Sequence, residues 1–466
     1  MQYVSTRGEA PALGFCDAVL AGLARDGGLY VPKHWPQIDA DTIKGFRGQS
    51  YVDVAKAVLT PFVGDEIETD VLSRLVDEAY ADFGHPAIAP LVQIDSNRFV
   101  LELFHGPTMA FKDVAMQLLA RLMDHILAKR NERITIVGAT SGDTGGAAIE
   151  AFKGRENCDI FILYPHGKVS DVQRWQMTGV SDANVHALAI EGNFDDCQSL
   201  VKAMFNHHTF RDRYRLSGVN SINWGRIMAQ VVYYFTAATS LGSPDRKVSF
   251  CVPTGNFGDI FAGFVAKAMG LPIDELIIAT NVNDILVRTL ETGRYETAGV
   301  HATTSPSMDI QVSSNFERLI FEACNRDDAQ VRQLMNALKQ SGSFRLPDYT
   351  LNAVRSHFRA ARVSEDEVAD TIESLLKQAS YLVDTHTAIG VHAAKQSSGS
   401  SSAPMVVLGT AHPAKFPDAV ESACGTRPAL PERQKDLMKG KERFKVLSNT
   451  LDAVEDHIAA HSRVNE

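Results

Sequence analysis

The amino-acid sequence predicts an α/β protein with a mostly helical N-terminal domain, and three features carry that expectation. From about residue 97 onward short apolar runs alternate with helix-like stretches, the pattern of parallel strands joined by crossover helices. Before that point the hydrophobic spacing is helical, with Pro- and Gly-containing turns between segments. The 466 residues are 45% hydrophobic and 22% charged, which suits a globular chain long enough for two or three domains.

Taken in order, residues 1–96 hold helical patterns such as CDAVLAGLARDG and TDVLSRLVDEAYADF and form the N-terminal domain. Seven apolar runs then read as strands: RFVLELF, RITIVGA, DIFILYP, NVHALAI, KVSFCVP, DELIIAT and PMVVLGT. The reading places one α/β domain over 97–240 and a second over 241–466. A helical insertion near 281–380, including DEVADTIESLLKQA, is expected ahead of the final strand PMVVLGT. The serine-rich run QSSGSSSAP at 396–404 reads as a surface loop.

A net charge of -10 and a pI near 5.8 argue against nucleic acid or an anionic membrane as a partner, while leaving room for a local basic pocket. The six cysteines lack CxxC or metal-type spacing, so neither a disulfide framework nor a metal site is expected. The N-terminus has no basic-then-apolar leader and no run of about 18 apolar residues occurs. A cytoplasmic protein is expected.

Chemistry concentrates at strand-to-loop junctions. In HGPTMAFKDVAMQLL, Gly106 and Pro107 read as a turn and Thr108 as a candidate helix cap, and Lys112 stands among apolar residues at the mouth of a helix. Either Lys112 snorkels and pairs with Asp113, or it is a desolvated amine ready to attack a carbonyl. In RITIVGATSGDTGGAAIEAF a strand ends at Ala139 and Thr140, Ser141, Gly142, Asp143 and Thr144 lead into a helix beginning near Gly145. That turn is a capped structural element or an anion site at a helix N-terminus. In KVSFCVPTGNFGD, Gly255, Asn256, Phe257 and Gly258 form a tight loop whose N–H groups suit a phosphate; it matches neither GxxxxGKS nor GxGxxG. PMVVLGTAHPAKF places Thr410 and His412 beyond a strand, and His412 reads equally as a ligand contact or a hydrogen-bonded structural histidine. A reactive lysine, a phosphate-sized glycine loop and polar strand ends together suggest pyridoxal 5'-phosphate.

Six stretches in this order, HGPTMAFKD, TSGDTGGAA, PTGNFGD, SPSMDIQVSSNFER, VDTHTAIG and GTAHPAKF, resemble the motif set of the threonine synthase family, in its longer fungal and bacterial branch. The likeness runs from VSTRGEAP to the last strand. It implies pyridoxal-phosphate fold type II, the class of the tryptophan synthase β-subunit, with the cofactor in the cleft between two α/β domains.

By that resemblance Lys112 is the Schiff-base lysine and Phe111 helps place it. Gly255, Asn256, Phe257, Gly258 and Asp259 fall on the loop for the cofactor phosphate, and Thr410 faces the pyridine nitrogen with a neutral hydroxyl. Asp143 stands where the wider class often has asparagine near the cofactor's ring oxygen. A carboxylate there repels a phenolate-like oxygen, so a shared proton or an outward-turned side chain is expected; its role stays open between cofactor contact and loop brace. NSINWGR resembles the substrate-phosphate motif, with Asn220, Ser221 and Arg226 at matching positions and Trp224 and Gly225 where branches differ. For Arg226 the plainer alternative is a surface ion pair. Thr140, Ser141 and Thr144 are expected at the substrate's carboxylate or phosphate.

The implied reaction converts O-phospho-L-homoserine and water to L-threonine and phosphate by γ-elimination and β-addition of water, in a monomer or weak homodimer. Two competitors are a phospho-lyase that eliminates without hydration and a cofactor-free binding protein on the same fold. Retention of both the lysine and the glycine loop speaks against the second.

Overall fold

The structure, a computed structural model, describes residues 1–218, 220–396 and 402–464. Most of the expected 396–404 loop, residues 397–401, thus lies outside the described residues. The strands in chain order are β1 (Tyr3–Ser5), β2 (Tyr30–Pro32), β3 (Leu91–Gln93), β4 (Arg98–Glu102), β5 (Ile134–Ala139), β6 (Cys158–Pro165), β7 (Val185–Ile190) and β8 (Leu216–Gly218). They continue with β9 (Val248–Pro253), β10 (Ile273–Thr280), β11 (Arg294–Glu296), β12 (Ser343–Arg345), β13 (Phe358–Arg362), β14 (Met405–Gly409) and β15 (Lys445–Leu447).

All seven runs read as strands are strands. They build a six-stranded sheet ordered β13-β10-β9-β14-β4-β3 and a five-stranded sheet ordered β15-β7-β6-β5-β8. Every pairing in them is parallel except β3 with β4. Every residue of β6 and β9 is buried, as expected of central strands covered by helices on both faces. β1–β2 and β11–β12 are small antiparallel pairs.

The sheets cut across the boundaries expected from sequence. β4 lies in the 97–240 segment yet pairs with β14, in the sheet that holds β9 and β10. β15 lies near the C-terminus yet pairs with β7, so PMVVLGT is not the last strand. The 281–380 segment is not a purely helical insertion, because β13 joins the large sheet beside β10. Its sequence, FRAAR, has the polar character of an edge strand and carries no strong apolar run.

The N-terminal region is mostly helical, with helices Phe15–Ala21, Ala40–Gly45, Tyr51–Val63 and Thr69–Tyr80. Ser50 caps the third by accepting from the Asp53 N–H. The structural hub is the helix Trp224–Ser240, apolar nearly all round and almost wholly buried, as such a sequence requires. It packs against helices Tyr51–Val63, Lys112–Arg130 and Gly258–Ala268. The loops after β4, β5, β9 and β14 all leave from carboxyl ends of parallel strands, where open α/β sheets place their ligands.

Candidate active site

These loops line a cavity of about 950 Å³ that brings together Lys112, Asp143, Arg226, the 254–260 turn and Thr410. Phe111 donates its backbone N–H to the Thr410 carbonyl at 2.8 Å and His412 donates to the Met109 carbonyl at 3.0 Å, so the loop before the helix Lys112–Arg130 is stitched to the end of β14. Lys112 is the first residue of that helix and is 7% exposed. Asp113 does not pair with it. The Asp113 carboxylate accepts instead from the Thr108 N–H at 2.7 Å and the Thr108 hydroxyl at 2.6 Å, so Thr108 serves this contact and the helix start has no side-chain cap.

The Lys112 ammonium lies 4.7 Å from the Phe111 ring centre and 3.5 Å from Asp143 Oδ2. Burial depresses its pKa; Asp143 opposes that, while Lys415 and Arg226 reinforce it. A lysine in this setting releases its proton readily and becomes a nucleophile.

Asp143 opens the helix Asp143–Phe152, two residues earlier than expected. Gly142 before it has φ 139°, and a Cβ there would stand 2.3 Å from the Gln173 side chain, so the turn requires glycine. The expectation of an outward-turned Asp143 is overturned. The side chain turns inward, 4% exposed, and Oδ1 receives Lys415 Nζ and Gln173 Nε2, each at 3.0 Å. Burial works against the charge, but Lys415, Lys112, His386 and Gln173 outweigh it and hold the carboxyl ionised. Thr140 braces the same turn, its hydroxyl accepting from the Gly142 and Gly145 N–H groups at 2.9 Å each. Ser141 and Thr144 line the cavity beside it.

The glycine loop enters the helix Gly258–Ala268 through Phe257 at φ 63°. A Cβ on Gly255 would come within 2.7 Å of the Ser307 carbonyl. The Ser313 hydroxyl donates to the Gly255 carbonyl at 2.6 Å, and the Asn315 side chain and N–H bind the Asn256 carbonyl at 2.9 and 3.0 Å. The helix N-terminus thus held at the cavity is a ready anion seat. Asp259 lies on this turn, but its carboxyl accepts from the Tyr233 and Tyr234 hydroxyls. Burial pushes it up to about 7 against those hydroxyls and Lys112, which limits its repulsion of a phosphate.

Arg226 is no surface ion pair. Its side chain is 4% exposed, and Nε and Nη1 have no hydrogen-bond partner among the described residues. Asn223 caps its helix through the Gly225 N–H at 2.9 Å, Asn220 accepts from the Ile222 N–H at 3.2 Å, and the Ser221 carbonyl receives Asn315 Nδ2 at 3.1 Å. Trp224, where branches of the resemblance differ, is fully buried against Tyr3 and Phe62. Thr410 is 6% exposed, and its hydroxyl also lacks a partner among the described residues. An orphaned hydroxyl, a desolvated lysine and a helix N-terminus around one cavity fit a group with an aldehyde, a ring nitrogen and a phosphate, and the orphaned guanidinium leaves a second seat for an anion.

Two neighbours escaped the sequence reading although their motifs were noted. His386, from VDTHTAIG, lines the cavity; Nδ1 lies 2.8 Å from Asp384 Oδ2 and Nε2 accepts the Ser307 N–H at 3.3 Å. Lys415, from GTAHPAKF, is fully buried. His412 is structural: Nδ1 accepts the Ala414 N–H at 3.2 Å, its ring meets Phe104 edge-on, and burial lowers it to about 4.

Residues 2–80 match the family described as threonine synthase N terminus, 86–410 the pyridoxal-phosphate dependent enzymes, and 387–458 the threonine synthase C-terminal family. The chain is 53% identical to a threonine synthase of Pseudomonas aeruginosa over 99% of its own length and 98% of the relative's. The chain belongs to the threonine synthase family. A crystal structure of PLP-bound threonine synthase from Brucella melitensis superposes with a TM-score of 0.98 at 67% identity, covering 99% of this chain and 100% of that one. The yeast threonine synthase structure does so at 0.94 and 40%, covering 99% and 98%. Fold type II, pyridoxal 5'-phosphate as cofactor and threonine synthase activity on a small-molecule substrate follow from membership in this family. No helix among the described residues is long and apolar enough to cross a membrane.

Proposed function

We propose that the cavity converts O-phospho-L-homoserine and water to L-threonine and phosphate, with the cofactor held by Lys112, the Gly255–Asp259 turn and Thr410. The observation that carries the substrate assignment is Arg226, a buried cation with unpaired donors at the cavity wall. A buried charge without a counterion is costly, so a dianionic ligand that reaches it gains strong charge-assisted hydrogen bonds. Burial lowers the Arg226 pKa to about 10, which leaves it cationic at neutral pH.

Bound pyridoxal phosphate supplies the electron sink that acidifies the substrate's Cα and Cβ protons. Lys112 would hold the cofactor through its aldehyde, and its amine would take the Cα proton and carry protons at Cβ and Cγ. Its lowered pKa supports both roles. Thr410 offers the ring nitrogen an uncharged hydroxyl. Arg226, Asn220 and Ser221 hold the substrate phosphate as it leaves Cγ. Thr140 keeps the 140–144 turn in shape, while Ser141 and Thr144 offer hydroxyls to the carboxylate. The protein works in the cytoplasm as a monomer or weak homodimer.

Product analysis with O-phosphohomoserine tests the reading. Threonine with equimolar phosphate is expected. Formation of 2-oxobutanoate and ammonia would assign a phospho-lyase, and no turnover by cofactor-loaded protein would overturn the assignment.

A further inference from the structure

Lys415 has no part in the reading above, yet it is the more tightly bound of the two lysines that face Asp143. Its ammonium reaches Asp143 Oδ1 at 3.0 Å, the Thr108 carbonyl at 2.8 Å and Gln176 Oε1 at 2.9 Å. Lys112 stands 3.5 Å from the other carboxylate oxygen. Three acceptors match the three N–H donors of an ammonium, so every Lys415 donor is used, while Lys112 has one long contact.

We propose that Lys415 is a positioning residue that claims Asp143 as its counterion and thereby leaves the Lys112 nitrogen without a tight ion pair and free to react. This rests on Lys112 being the lysine that holds the cofactor. The charges facing Lys112 come from four elements: Asp143 on the helix Asp143–Phe152, Lys415 on the turn Pro413–Lys415, Arg226 on Trp224–Ser240 and Asp259 on Gly258–Ala268. Around the Asp143–Lys415 pair lie His386 and Asp113. A lone carboxylate beside Lys112 would stabilise its ammonium and lock the amine; the second cation cancels that field.

The test is a pH titration of the holoenzyme's visible cofactor absorbance, which reports on the imine nitrogen that Lys112 contributes and so on the charges around it. Lys415→Met removes the cation and should move the midpoint up by about one unit or more, the usual effect of a neighbouring charge. Asp143→Asn removes the anion and should move it down by a similar amount. Activity lost by Lys415→Met at neutral pH should return as pH rises, and Lys415→Met with Asp143→Asn should restore the midpoint toward the native one. If Lys415→Met does not fold, Lys415→Gln, which keeps a hydrogen-bonding side chain without the charge, carries the same test. A folded variant with an unmoved midpoint, or a loss equal at every pH, would overturn the proposal and leave Lys415 as a mere tie between loops. Borohydride reduction and peptide mapping on the same preparations separate the two readings. Cofactor fixed elsewhere than Lys112 sinks the assignment of the lysine itself; cofactor on Lys112 with no shift sinks only the role of Lys415.

Discussion

Lys112 and Arg226 are both buried basic side chains at the cavity wall, yet their surroundings give them different work. Lys112 has a carboxylate at the edge of contact and two repelling cations; Arg226 has orphaned donors. Lys112→Ala should abolish the visible cofactor band and nearly all threonine formation, and borohydride should label the native peptide that contains Lys112. A label on another lysine would refute its role. Arg226→Ala should leave the band largely intact and lower kcat/KM for phosphohomoserine roughly ten- to a hundredfold, the worth of a charge-assisted hydrogen bond of about 1.5–3 kcal/mol. Gly255→Asp should instead weaken cofactor retention, because any Cβ there collides with the Ser307 carbonyl and the added charge opposes a phosphate. Cofactor content and steady-state kinetics on the two variants decide this; a cofactor loss in Arg226→Ala with normal substrate use after reconstitution would reverse the assignment. At this scale the six motifs made Lys112, Thr410 and the glycine loop legible. They did not reveal Lys415 or His386, because neither residue type announces its partner in sequence.

At the scale of elements, the helix Lys112–Arg130 is tied to its preceding loop through Asp113 rather than through a capping hydroxyl. Burial pushes Asp113 up to about 6, against the two hydrogen bonds from Thr108 and the charge on Lys415. An acid whose pKa is higher folded than unfolded contributes most to stability below its unfolded value, near 3.9, and that contribution is lost as pH rises through about 6. Asp113→Asn should therefore flatten the fall of the melting temperature between pH 4 and 6. Parallel curves for variant and native protein would show that Asp113 is not the group responsible. The strand runs and their carboxyl-end loops were readable from hydrophobic spacing, and helix starts were right to within a turn. β8, β13 and β15 were not, being short and only partly apolar, so their strand character comes from the neighbour each one pairs with.

Across the whole molecule, the chain leaves the large sheet after β4, builds the smaller sheet, returns at β9 and sends β15 back to pair with β7. The closing helix Leu451–His461 buries Val454 and Ile458 against Phe161, Leu188 and Met204. Ile458→Ala should cost about 2–5 kcal/mol and lower the melting temperature, while the cofactor absorbance and the product stay unchanged. A variant as stable as the native protein would mean that this helix is not part of the core of the smaller sheet.

The sequence by itself determined the α/β class and the N-terminal helices, because these depend on local period and turn chemistry, while the choice of Lys112 and of the phosphate turns as site residues came from the resemblance of six motifs to a known family. Only the tertiary structure decided that β4 and β14 share a sheet, that Asp143 turns inward to Lys415, and that Arg226 is buried without a partner. Each of those facts joins residues far apart in the chain. Strand exchange between sheets, the burial of a charge and the choice of its counterion depend on which distant segments pack together, and hydrophobic spacing carries no record of that choice.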